Sequence, residues 1–135
     1  MIIIWNNALP IKGYLAMTIW PFIFVRQEEA VKMKKLGWWD EMLRHEEIHC
    51  AQQKEMLLVG VVIALAMAFF GCRWWSLLPM PLFYWWYIVE WLIRLGMDGS
   101  AYRNISFERE AYRNQYNKDY LKTRPFWAFL NYIVK

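Results

Sequence analysis

His45 and His49 are the only histidines in the 135-residue chain, and they stand four apart in His45-Glu46-Glu47-Ile48-His49. On a helix this spacing places both imidazoles on one face, a turn apart, where they can share one metal ion. Glu46 then lies beside the cation rather than on it, next to whatever water the site holds. Zinc suits the pair: it takes neutral imidazole nitrogens in a tetrahedral shell and keeps one position open for water in catalytic sites. The bland alternative is two histidines flanking an ordinary charged helical turn. A third ligand would separate the two readings.

The elements that must position such a ligand are unusually apolar. Hydrophobic residues make up 59% of the chain and there are ten tryptophans, a residue favoured at the boundary between lipid and water. Met56 to Cys72 is 17 residues without a charge, and Trp74 to Val89 is 16 more, with Arg73 alone between them. A 17-residue helix covers about 25 Å, slightly under a hydrocarbon core of roughly 30 Å, and each segment can gain a turn at its polar end. Trp74, Trp75, Pro79 and Pro81 fit a tight turn between them, so the pattern predicts a membrane-spanning helical hairpin. Shallow, monotopic insertion is the alternative. Two crossings return the chain to the side it left. Of 16 Lys and Arg residues only Arg73 then lies on the far side, which predicts a cytoplasmic location for the shared face.

The third ligand should therefore come before Lys54 or from Glu90 onward. Ser106-Phe107-Glu108-Arg109-Glu110-Ala111-Tyr112 reads as a short helix with Glu108, Ala111 and Tyr112 on one face, while Glu110 points elsewhere and can pair with Asn114 or Arg113. Glu108 is the candidate this segment offers, although by itself the segment reads as a solvated charged helix. Glu90, in the apolar setting Tyr87-Ile88-Val89-Glu90-Trp91-Leu92, needs a partner if ionised, and Arg94 one turn on would serve. Glu110, or no third ligand at all, stays open. Glu47 and Glu55 read as solvent-facing or interfacial charges.

H-E-x-x-H followed some tens of residues later by E-x-x-A resembles the gluzincin metallopeptidases, especially the membrane-bound type related to the prenyl-protein and heat-shock membrane proteases. Those proteins read E-x-x-A-D at the second motif; Tyr112 stands here where the Asp would be, which removes the acid that orients a histidine ligand. The chain is also similar to a small bacterial membrane zincin-like family bearing H-E-x-I-H and S-F-E-R-E-A-Y, a resemblance that brings no activity with it. The second resemblance implies a bacterial membrane protein, and together with the charge asymmetry the expectation is an inner-membrane location with the metal site on the cytoplasmic face.

With zinc on His45, His49 and Glu108, Glu46 would act as general base on the water and return the proton to the leaving amine of a peptide or protein substrate. Tyr112, Tyr102 or Arg103 could supply a further donor to the oxyanion. The competing class is a non-catalytic membrane protein whose metal serves structure or assembly. Di-iron carboxylate sites, histidine-rich desaturases and histidine-dependent Ser or Cys hydrolases are excluded, because no histidine remains outside the motif. Cys50 and Cys72 make no disulfide framework.

At the N-terminus, Ile2 to Trp5 and Ala16 to Val25 read as partner strands, with Asn6-Asn7 and Lys12-Gly13 as turn signals and Pro21 confining the second strand to an edge or a break. The start lacks the basic region and cleavage site of a secretory signal. Gln27 to Leu36 is a charged helical turn or loop, and Asp40 a candidate N-cap for the histidine helix. In the tail, Pro125 opens a spacing of apolar residues at 126, 129, 130 and 133 that predicts an amphipathic helix on anionic lipid. Net charge is +4, which a membrane surface explains without nucleic acid.

The expected fold is a single, mainly α, membrane-associated zincin-like domain with a short N-terminal β-hairpin. Its parts run 1–36 (strands and turn), 40–72 (histidine helix into first apolar segment), 74–95 (second segment) and 100–135 (third-ligand helix and tail). So small a chain would need a homo-oligomer or a partner to enclose a substrate.

Overall fold

Alternating apolar residues at Thr18 to Val25 do form strand, but Trp20 and Pro21 break it in two. In the computed structural model, which describes residues 2–10, 14–96 and 100–134, β1 (Ile2–Asn6), β2 (Ala16–Ile19) and β3 (Phe22–Arg26) make one sheet in the order β1-β3-β2. β2 and β3 are an antiparallel hairpin with Thr18 opposite Ile23, whereas β1 runs parallel to β3 with Ile3 opposite Ile23. The expected pairing of the first strand with the second as one hairpin is thus corrected to a three-stranded sheet. Asn6 makes its turn as expected, its side-chain oxygen accepting from the backbone N–H of Ala8 and Leu9. The turn expected at Lys12-Gly13 lies outside the described residues.

The rest is mainly helical: α1 (Gln27–Leu36), α2 (Trp39–Phe69), α3 (Leu82–Leu95), α4 (Ala101–Asn104), α5 (Ser106–Asn114) and α6 (Tyr120–Thr123). Gln27 to Leu36 is a full helix, closed by Gly37 in the left-handed conformation at φ 75°. Asp40 is not the N-cap of α2. It lies in the first turn with Glu41, where a negative charge still complements the helix dipole. At 31 residues α2 is, among the described residues, the one helix long and apolar enough to cross a membrane. α3 has 14 residues, or about 21 Å, and does not reach that length.

The chain divides into two units. In the first (1–51 with 110–124), the inward face of β3 supplies Ile23 and Val25 to a core with Ala30, packed by Ile3, Ala16, Trp39, Met42 and Leu43. Trp5 stacks on Trp39 at 5.4 Å, and the Lys34 ammonium sits over both rings. In the second (52–109 with 125–135), Met56, Phe83, Ile105, Phe107 and Phe129 form the core, Phe107 stacking on Phe83 at 4.4 Å.

That second core takes in the tail, which is not an amphipathic helix. Ala128–Tyr132 is a 3-10 turn entered through Trp127 at φ 61°, and Phe129 is fully buried against Phe107 at 4.5 Å. A spacing of three to four suits a 3-10 turn as well as an α-helix, and burial of one aromatic ring decided between them.

α2 also changes character along its length. Its buried positions include His45, Ile48, His49, Gln52, Met56 and Gly60, one helical stripe that is half polar, while Leu58, Val62, Ile63, Leu65 and Phe69 are exposed. At Gly60 the chain folds back so closely that a Cβ would meet the Pro79 carbonyl oxygen at 2.3 Å. Only glycine leaves room for that approach.

Candidate metal centre

α2 is unbroken through the histidine motif, so the i, i+4 relation holds: His45 Nε2 and His49 Nε2 are 3.1 Å apart, with the rings nearly perpendicular at 81°. Both imidazoles are buried, at 8% and 7% exposure. Glu108 joins them. One donor atom from each of His45, His49 and Glu108 lies within 4.8 Å of the other two, a group that can hold a single metal ion.

Glu108 is placed by the start of α5. The first N–H of that helix would be orphaned on burial, but Ser106 N donates to Glu90 Oε1 at 2.9 Å and Ser106 Oγ to Glu90 Oε2 at 2.6 Å. The same carboxylate pairs with Arg94 at 2.7 Å and accepts from Trp86 Nε1. Glu90 is therefore a structural anchor for the ligand helix, and the expected Arg94 pairing accounts for its charge. Tyr87 donates its hydroxyl to Glu108 Oε1 at 3.1 Å. The Glu110 carboxylate is held by Arg124 Nε at 2.5 Å and by Tyr120, and Asn114 donates to its backbone oxygen. The expected Asn114 contact is thus to the backbone oxygen, while the carboxylate pairs with Arg124, both side chains being buried and satisfied by the ion pair.

Glu46 is buried at 7% and its Oε2 accepts from Thr18 Oγ1 at 2.6 Å, so β2 fixes the rotamer of the proposed base. Glu47, beside it, is only partly covered; burial pushes its carboxyl up, against the opposing pull of Arg44. Glu55 is not solvent-facing. It is 8% exposed and accepts the Trp127 N–H at 3.2 Å, which ties the tail to α2. Burial, with Glu46 nearby, pushes the Cys50 thiol up to about 11, so it is a protonated, apolar filler at neutral pH.

The missing Asp of the second motif is answered elsewhere. Tyr112 lays its ring against His45 at 4.6 Å, and Gln115, just beyond α5, brings Oε1 to 3.1 Å from His45 Nδ1. Of the other oxyanion candidates, Tyr102 lies against Tyr87 at 6.4 Å and Arg103 is exposed on α4. Gln115, Thr18 and Tyr87 were not singled out by sequence. Gln115 had a signal: it is seven residues, two turns, after Glu108 and four after Ala111, on the face already assigned to the site. Thr18 and Tyr87 had none.

No family model, curated protein or solved structure matches the chain.

Proposed function

We propose that the protein is a membrane-bound metallopeptidase of gluzincin type, holding one zinc ion on His45, His49 and Glu108. The observation that carries this reading is the convergence of two imidazole nitrogens and a carboxylate oxygen within 4.8 Å, all from buried residues. The donor set fits the ion, since two neutral imidazoles and one carboxylate make a three-ligand shell that leaves a position for water or substrate. A bound zinc would supply Lewis acidity, polarising a peptide carbonyl and easing deprotonation of water.

The chain's own residues handle the proton. Glu46 follows His45 directly on α2, and Thr18 holds one of its oxygens, so the carboxylate keeps a single orientation. It takes the proton of the attacking water and passes it to the leaving amine nitrogen. The apolar half of α2 and the return limb through α3 lie in lipid as a helical hairpin, with the Lys- and Arg-rich remainder on the cytoplasmic face of a bacterial inner membrane. Its support is the exposure of Leu65, Phe69, Trp74, Trp75 and Leu92, which water would penalise. Substrates on this reading are peptides or proteins met at the membrane.

The test is metal content and hydrolysis of quenched fluorescent peptides by the full chain in vesicles. His49→Ala and Glu108→Ala should lose the metal, and Glu46→Gln should keep it while losing hydrolysis. Metal retained by both ligand variants, or turnover retained by Glu46→Gln, overturns the proposal.

A further inference from the structure

We infer that Gln115 and Tyr87 are positioning residues of this centre, neutral groups of which Gln115 orients His45 as a carboxylate orients a zinc-bound histidine elsewhere and Tyr87 orients Glu108. The inference rests on the metal reading above. An imidazole has two nitrogens, and the one that meets a hydrogen-bond acceptor keeps the proton. Gln115 Oε1 is a carbonyl oxygen and only accepts, so at 3.1 Å it holds the proton on His45 Nδ1. Nε2 keeps its lone pair, and it is Nε2 that faces His49. The Tyr112 ring against His45 limits rotation of the imidazole.

Gln115 is itself braced. Its N–H donates to Ala111 O at 2.9 Å, and its own carbonyl accepts from Arg44 Nε at 2.6 Å. Arg44 immediately precedes His45, so the ligand and the residue that orients it are tied at two points. Tyr87 acts on the carboxylate ligand. Its hydroxyl donates to Glu108 Oε1, and its ring lies nearly parallel to that of Phe107 at 14°, which fixes where the hydroxyl stands.

Both groups are uncharged, and this has a measurable consequence. A carboxylate hydrogen-bonded to a ligating histidine raises its basicity and tightens the metal; removing an orienting partner costs about 10–100-fold in affinity. Gln115→Leu and Tyr87→Phe should therefore each weaken the cation by about tenfold or more, and Gln115→Glu should bind it more tightly than the parent.

The measurement is Zn2+ affinity of the full chain in detergent by competition with a chelator, with the visible spectrum of the Co2+ form as a report on ligand geometry. Parent protein should bind one equivalent, and Gln115→Leu should alter the Co2+ spectrum while its helical circular dichroism is unchanged. Equal affinity and identical spectra in parent, Gln115→Leu, Gln115→Glu and Tyr87→Phe would overturn the inference and leave the metal reading standing. A parent that binds no metal would overturn both.

Discussion

Thr18 shows how one hydroxyl can matter at this site. It donates to both the carboxylate and the backbone oxygen of Glu46, at 2.6 and 3.2 Å, from a strand 28 residues earlier. Hydrogen bonds to a charged group contribute about 1.5–3 kcal/mol, so Thr18→Val, which keeps the shape and removes the donor, should slow hydrolysis by about tenfold or more with metal content unchanged. Loss of metal in that variant would show Thr18 to support the fold rather than the base. Arg124 and Glu110 make a second residue-scale case. Their side chains are 4% and 0% exposed, so Arg124→Ala leaves a buried carboxylate without its cation. Thermal unfolding in detergent should reveal a loss of about 3–5 kcal/mol. A variant as stable as the parent would mean that water reaches Glu110.

Among the elements, α2 is organised inside out. Its imidazoles, its amides and the acids Glu46 and Glu55 are buried, and beyond Gly60 most of its Val, Ile, Leu and Phe side chains point outward. Gly60 is where this helix meets the returning backbone. Adding a methyl group there brings carbon within 2.3 Å of the Pro79 oxygen, a backbone atom that moves only with its segment. Gly60→Ala should cost about 1–3 kcal/mol, read as a lowered unfolding temperature, although alanine is the better helix former by nearly 1 kcal/mol. An unchanged or raised temperature would show that the return limb does not pack at Gly60. α5 is similarly dependent on one neighbour, since the Glu90 carboxylate satisfies the Ser106 N–H that starts the helix carrying Glu108.

For the whole molecule, the apolar surface of the second unit is the dominant fact. Phe69, Phe70 and Trp74 are 80% exposed or more, adjacent to a helix apolar enough to cross a bilayer. Lipid covers such a surface at no cost, whereas water does not. The protein should stay with membranes through an alkaline carbonate wash. In a Cys50→Ser background, Cys72 should react with a membrane-impermeant maleimide only from the face opposite both termini. Labelling from the same face as the termini would replace the crossing hairpin by shallow insertion.

Relations set within a single helix or a single run of residues were readable from sequence. The His45–His49 pair, the apolar segments and the strand alternation all follow from local periodicity, which backbone geometry imposes wherever the chain is helical or extended, whereas Glu108 stood out only through the resemblance of its motif. What the tertiary structure alone decided are the relations between residues distant in the chain. Gln115 reaches His45 across 70 positions, Glu90 turns from candidate ligand to anchor of α5, β1 runs parallel to β3, and Phe129 draws the tail into a core. Each depends on which elements come to pack together, and although periodicity put Gln115 on the right face, it does not encode which residue across the fold that face meets.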